Sequence, residues 1–240
     1  QGPGVEHLLL IVAHFLLPGA LIGIFLRDAV ANPPEPGAHA WHIMHSIGGV
    51  SALLVGGASA AVLIGYPSFL AHPRRTSVRA SSVAVIAGVL IAFFLCFPQL
   101  YAAKSLWHTF SPTTTQPTHS VLEALQNSEW GGWGTVQLLV STVVIAPLVE
   151  ELLIRGLLLG VLWRLTGLTW FSIFATATMF GFMHMQQPQD VVPLTTFGIL
   201  LAYVRFRTRG IMPCIMIHAL FNLRTMAFVL LNPEMARAAG

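Results

Sequence analysis

Long apolar runs separated by short polar segments are the main pattern of this chain. A bilayer core about 30 Å thick requires about 20 apolar residues in a helix, and several runs reach that length. The pattern predicts about seven membrane-spanning helices, or eight if the fourth run is broken. The predicted spans are Leu8 to Leu26, Trp41 to Tyr66, Ala80 to Ala103, Trp133 to Leu162, Leu165 to Met185, Val191 to Val204 and Ile211 to Leu231. We therefore expect an all-α, polytopic membrane helix bundle.

Composition supports a membrane protein and excludes several other classes. Of the 240 residues, 55% are hydrophobic and only 9% are charged. A soluble domain usually carries about a quarter charged residues, so this chain lacks the polar surface needed to face water on all sides. The basic residues form short clusters rather than a stripe, which argues against a nucleic-acid partner. Cys96 and Cys214 each lie in an apolar run, where a free cysteine behaves as a small hydrophobe, and predict no disulfide framework.

Two arginine clusters predict the orientation of the helices. They are Arg74, Arg75 and Arg79 after the second run, and Arg205, Arg207 and Arg209 after the sixth. The positive-inside rule places both clusters in the cytoplasm, and an even number of runs separates them. The N-terminus is then cytoplasmic. The one long polar connection, Lys104 to Trp133, lies on the other side as a mobile loop or a lid.

A pair of carboxylates, Glu150 and Glu151, interrupts the fourth run well inside its apolar sequence. An ionisable residue at the centre of a membrane helix costs at least roughly 2.5 kcal/mol, so two in succession require a reason. Arg155 follows Glu151 by four positions and shares its helix face, whereas Glu150 lies off that face. The spacing predicts a Glu151–Arg155 pair and leaves Glu150 as a candidate general base, with Pro147 predicting a kink beside them. The alternative is a buried ion pair with a spectator Glu150.

Two later runs carry further polar residues at helical spacing. Phe180 and His184 share one face of the fifth run, and His218 and Asn222 stack on one side of the seventh. Each residue alone is typical of a hydrogen bond between membrane helices. Together, a carboxylate, two imidazoles and an amide from three runs are the groups needed to activate a water and to stabilise an oxyanion.

Three segments resemble, in order and spacing, the successive motifs of the CAAX prenyl protease and bacteriocin-processing family of intramembrane proteases. They are Ala146-Pro-Leu-Val-Glu150-Glu151-Leu-Leu-Ile-Arg155-Gly156, Phe180-xxx-His184 and His218-xxx-Asn222. The resemblance covers roughly Trp133 to Leu223. The sequence departs from the family at Ile154, where Phe or Tyr is common, and this should alter packing rather than chemistry.

The resemblance implies a bundle of about eight helices with a catalytic cavity open to lipid. By position, Glu150 and His184 would activate water, and His218 and Asn222 would hold the oxyanion. Supporting positions are Glu151, Arg155 and Phe180. The implied reaction is hydrolysis of a peptide bond near the membrane, with the C-terminal tripeptide of a prenylated Cys-aliphatic-aliphatic-X tail as one candidate substrate. Peptides and other lipid-anchored proteins remain open as partners, because many bacterial relatives lack prenylated substrates.

The resemblance leaves metal dependence open. Glu150, His184 and His218 form a set of ligands that also suits zinc with a bound water, although a carboxylate and an imidazole can activate water without a metal. No cofactor is therefore firmly implied. A separate histidine cluster, His39, His42 and His45, is interpreted as interfacial rather than metal-binding.

Two other classes of function compete with the protease. A proton-coupled transporter would use Glu150, Glu151 and the histidines as a relay, but it predicts internal repeats, and the two halves contain no matching pair of interrupted runs. A non-catalytic scaffold would use the polar residues only to join helices. For the domain organisation we expect an expression remnant at 1–4, N-terminal helices and the long loop at 5–132, the catalytic core at 133–231 and a tail at 232–240.

Overall fold

The computed structural model describes residues 78–110, 132–185 and 187–232, and within them every regular element is helical. The helices are α1 Val78–Ile91, α2 Phe97–Phe110, α3 Trp133–Val140, α4 Ala146–Glu151, α5 Leu159–Thr166, α6 Thr169–Phe182, α7 Val191–Thr208 and α8 Met212–Leu231, with a short 3-10 turn at Pro188–Asp190. The all-α prediction is confirmed for these residues. The first two predicted spans, the cluster His39, His42 and His45, and residues 111–131 of the long connection lie outside them. The total of seven or eight helices stays a prediction.

Three π-helical segments join consecutive helices without a break. Ala92–Cys96 connects α1 to α2, Ser141–Ile145 connects α3 to α4, and Leu152–Leu158 connects α4 to α5. The fourth apolar run is therefore one continuous helix, Trp133–Thr166, rather than a broken span. A π turn adds a residue to the helical turn and redirects the side chains that follow. Two of these segments flank α4, which carries the carboxylate pair.

Helix ends differ from the predicted boundaries where local chemistry decides them. The segment from Lys104, predicted as part of the long connection, is helical as far as Phe110, and the Thr109 hydroxyl bonds to the Ser105 carbonyl within it. The fourth run continues to Thr166, where Gly167 adopts a left-handed conformation with φ of 69° and ends α5. Such a glycine is a common helix terminator because it has no Cβ to clash.

Three helices among the described residues are long and apolar enough to cross a membrane: Val85–Ala103, Trp133–Thr166 and Met212–Leu231. The helix Thr169–Phe182 is apolar but shorter. Large apolar side chains such as Phe94 and Trp170 are exposed on the outer surfaces of the bundle. Exposed apolar surface of this extent is typical of contact with lipid, and these features indicate an integral membrane protein. The cytoplasmic location of the N-terminus stays a prediction.

The centre of the bundle is formed by the middle of the long helix together with α7 and α8. Every residue from Leu153 to Leu159 is buried, so this part of the helix is enclosed on all sides. Ile154, Phe197 and Ile217, from three different elements, belong to the same buried cluster. This enclosure places Arg155 among apolar side chains, where its charge requires partners.

Close packing of α6 against α7 brings a backbone carbonyl towards that arginine. Gly198 of α7 lies directly on Ala177 of α6: a Cβ at Gly198 would stand 3.0 Å from the Ala177 Cα and 3.1 Å from its Cβ. Small residues at such crossings let membrane helices approach closely, where van der Waals packing replaces the hydrophobic driving force. The Gly198 carbonyl is thereby held at the buried face of the bundle.

We expect Gly198→Val to destabilise the protein by about 1–3 kcal/mol, the usual cost of overpacking a tight contact. Gly210→Ala is the matched control, because the nearest atom to an added Cβ there is the Pro213 Cδ at 3.4 Å, an ordinary contact. Thermal unfolding in detergent measures both. A melting temperature of Gly198→Val equal to that of the control would contradict the packing described here.

Candidate active site

The Glu151 carboxylate is the point at which the long helix and α8 meet. It is fully buried, and its Oε1 accepts two hydrogen bonds, from Arg155 Nη1 at 2.9 Å and from His218 Nδ1 at 2.9 Å. The Arg155 bond agrees with the four-residue spacing in the sequence. The His218 bond crosses between helices, and it fixes the imidazole ring with Nδ1 directed at Glu151.

Arg155 extends the same network to α6 and α7. Its Nη2 donates to the Gly198 carbonyl at 3.3 Å, and its guanidinium carbon lies 4.5 Å from the centre of the Phe180 ring. Its side chain is fully buried. A buried cation is tolerated only with an anion and further hydrogen bonds, and an aromatic face adds a favourable cation–π contact. Arg155 therefore connects the long helix, α6 and α7 through the contacts of one buried guanidinium.

Glu150 differs from Glu151 in both exposure and bonding. Its side chain is 24% exposed, and its Oε2 lies 3.9 Å from His218 Nε2, a separation too long for a direct hydrogen bond. Within the described residues Oε2 has no hydrogen-bond partner. Glu150 thus keeps a buried acceptor oxygen next to an oriented imidazole, while other atoms of its side chain are partly exposed.

Phe180 separates and orients the two histidines. Its ring centre lies 5.2 Å from that of His184 and 5.7 Å from that of His218, the latter in an edge-on arrangement. His184 lies in the turn after α6, half-buried, and its Nδ1 donates to the Phe180 carbonyl at 2.9 Å. The bond leaves His184 Nε2 for other chemistry, because a carbonyl can only accept. The Phe180 and His184 rings therefore lie side by side, in agreement with their four-residue spacing.

Asn222 makes its contact at a different point on the long helix. Its Nδ2 donates to the carbonyl of Thr142 at 2.9 Å. Thr142 precedes Glu150 by eight residues, or about 12 Å along an α-helix. The structure thus brings Glu150, Glu151 and His218 together. Asn222 joins α8 to the long helix at a second point, about two turns away from Glu150.

Several contributors to the site were not predicted from the sequence. Thr142 and Gly198 act through backbone carbonyls, so their side chains carry no signal for this role. Phe197 contacts the His218 ring at 5.5 Å between centres and stacks on Phe221 at 4.3 Å. A phenylalanine in an apolar run does not stand out, and its position beside a histidine depends on how the helices cross.

The zinc site considered from the sequence lacks support in this arrangement. Among the described residues, no three His, Cys, Asp or Glu side chains are grouped so that they could hold a metal ion, and Glu150, His184 and His218 therefore do not form such a set. His218 Nδ1 is already bonded to Glu151. Among the residues that the structure describes, zinc binding at this site therefore has no support.

Fold and site together define a membrane-embedded helical protein with a buried carboxylate–histidine site. Residues 132–224 match the family model described as Type II CAAX prenyl endopeptidase Rce1-like. The match spans all three motifs and confirms the family resemblance over this segment. No curated protein and no solved structure matches the chain.

Replacing Arg155 by Ala should destabilise the protein by about 3–5 kcal/mol, because it leaves the Glu151 carboxylate buried without its cation. The matched control is Arg207→Ala, an exposed arginine of α7. The measurements are the yield of monodisperse protein in detergent and the melting temperature. If the two variants behave alike, the buried pair does not stabilise the fold as proposed.

Proposed function

We propose that this protein is an intramembrane endopeptidase in which Glu150 is the general base. One observation carries the proposal: a buried oxygen of the partly exposed Glu150 side chain, without a hydrogen-bond partner in the described residues, faces an imidazole nitrogen whose ring is held by a second, fully buried carboxylate. A carboxylate placed beside an oriented imidazole is suited to removing a proton from water. The match to a family of CAAX prenyl endopeptidases supports the same reaction class.

In this mechanism the attacking water loses a proton to Glu150 as its oxygen adds to the peptide carbonyl carbon. His184 assists from the neighbouring helix end through Nε2, since its Nδ1 is bonded to the Phe180 carbonyl. Glu150 then returns the proton to the leaving amine as the carbon–nitrogen bond breaks. The products are a new carboxyl terminus and a free amine, and the enzyme is restored.

The negative charge that develops on the substrate oxygen requires hydrogen-bond donors. We assign His218 and Asn222 to this role. His218 Nδ1 is engaged by Glu151, so Nε2 donates when the ring carries both protons. The Asn222 amide has two hydrogens, and the contact with Thr142 occupies one of them, which leaves the second for the substrate.

The proposed substrate is a peptide or protein attached to the membrane by a lipid or an apolar segment. Apolar helices around the site would accept such an anchor and bring a nearby peptide bond to Glu150. The match to a family described as CAAX prenyl endopeptidases favours a prenylated Cys-aliphatic-aliphatic-X tail from which the last three residues are removed. Unprenylated peptides are the alternative substrate class.

We expect Glu150→Gln to lower the turnover rate by a factor of about 10² or more, because the amide keeps the shape of the side chain but cannot accept a proton. Substrate binding should persist. The assay follows cleavage of a quenched fluorescent peptide, prenylated or unprenylated, by purified protein in detergent, with and without a chelator. Thr225→Ala is the control: among the described residues this hydroxyl on α8 bonds to the Phe221 carbonyl of its own helix.

The outcomes separate the competing functions. Full activity in Glu150→Gln would overturn the assignment of the base, and loss of wild-type activity with the chelator would overturn the metal-free mechanism. Absence of cleavage in the wild type, combined with a Glu150-dependent proton flux in liposomes, would favour the transporter. Absence of both activities would favour the scaffold.

A further inference from the structure

The carbonyl of Thr142 lacks the backbone donors that an α turn or a π turn would offer it. In an α-helix this oxygen would accept from the N–H of Ala146, four residues later. Here the Ala146 N–H donates to the Ser141 carbonyl instead, within the π-helical segment. The next candidate, five residues after Thr142, is Pro147, which has no N–H. The π turn and the proline together leave this carbonyl without its α-helical and its π-helical donor.

A side chain from another helix occupies the freed acceptor. Asn222 of α8 donates to the Thr142 carbonyl through Nδ2 at 2.9 Å. Within a bilayer an unsatisfied backbone carbonyl is costly, and a group freed by a proline is normally satisfied by a neighbouring helix. Pro147 therefore creates a specific acceptor on the long helix, and Asn222 supplies the specific donor.

The contact has a direct consequence for the active site, because Asn222 lies one turn after His218 on α8. Four residues separate them, a rise of about 6 Å. A bond that fixes α8 at Asn222 restricts its sliding and rotation against the long helix. These are the movements that would carry His218 away from Glu151 and Glu150, which it meets at 2.9 and 3.9 Å.

We propose that Pro147 and Asn222 are a pair of positioning residues: the carbonyl that Pro147 leaves free holds α8 through Asn222 and thereby sets His218 against the carboxylate pair. The role uses one amide hydrogen and is separate from any contact between Asn222 and substrate. It goes beyond the proposed peptidase function. The activity measurements that test this pairing rest on the proposed peptidase function, whereas the stability measurements do not.

The test is a double-mutant cycle made of the wild type, Pro147→Ala, Asn222→Ala and the double variant. Pro147→Ala returns an N–H at this position, so the long helix can satisfy its own carbonyls and the asparagine becomes less necessary. We expect the loss of kcat caused by Asn222→Ala to be about tenfold smaller in the Pro147→Ala background, as is typical of residues in one hydrogen-bonded unit. A loss of equal size in both backgrounds would show that Asn222 acts on the substrate alone, and would overturn the pairing.

The melting temperatures of the same four proteins allow the double-mutant cycle to be evaluated without any assay of activity. We expect the decrease caused by Asn222→Ala to shrink when Pro147→Ala is present, while Thr225→Ala, the control on α8, leaves the melting temperature near that of the wild type. Additive decreases would overturn the proposal even if Pro147→Ala abolishes catalysis. If no protein cleaves peptide, the peptidase function fails, and this thermal cycle still decides the pairing.

A second cycle distinguishes positioning of His218 from general stabilisation. Measured per mole of folded, monodisperse protein, Asn222→Ala should lower kcat by a clearly smaller factor in a His218→Gln background than in the wild type, and the loss that remains is that of its direct contact with substrate. A purely structural role would reduce the folded fraction and leave kcat of the folded protein unchanged. Independent, multiplying losses in the two backgrounds would contradict an action through His218.

Discussion

One buried oxygen, Glu151 Oε1, sets the arrangement of the candidate site. It accepts from Arg155 within its own helix and from His218 across the helix boundary, both at 2.9 Å. In lipid the hydrophobic effect gives little drive for one helix to pack on another, so polar contacts and close packing determine their relative positions. A carboxylate at this depth is costly without partners, and therefore the stability of the bundle and the assembly of the site depend on the same bonds.

Adjacent carboxylates have different roles because successive residues on a helix point about 100° apart. Glu151 faces the interior and is occupied by two donors, whereas Glu150 is 24% exposed and retains an oxygen without a hydrogen-bond partner in the described residues. The first holds the histidine in place, and the second is available for proton transfer. Phe180, in contact with both histidines and with Arg155, keeps these groups at fixed separations.

The π-helical segments on either side of α4 change what the long helix presents to its neighbours. Each adds a residue to a turn, and the first, combined with Pro147, exposes a backbone acceptor that an ideal α-helix would have hidden. Proline within this span is therefore compatible with a continuous helix, because α8 satisfies the freed carbonyl. A proline, which would break a helix in a soluble protein, here provides the free backbone acceptor through which two membrane helices are joined.

Local features of the site could be predicted from the sequence because they lie within one helix. The apolar runs determine which segments are helical, the interval from Glu151 to Arg155 predicts their pairing, and the interval from Phe180 to His184 predicts a shared face. The bond from His218 to Glu151, the attachment of Asn222 to Thr142 and the use of the Gly198 carbonyl depend on tertiary structure. Periodicity describes one helix at a time, whereas the crossing of two helices depends on close glycine contacts and on the residues inserted by π turns. That crossing determines which atoms meet.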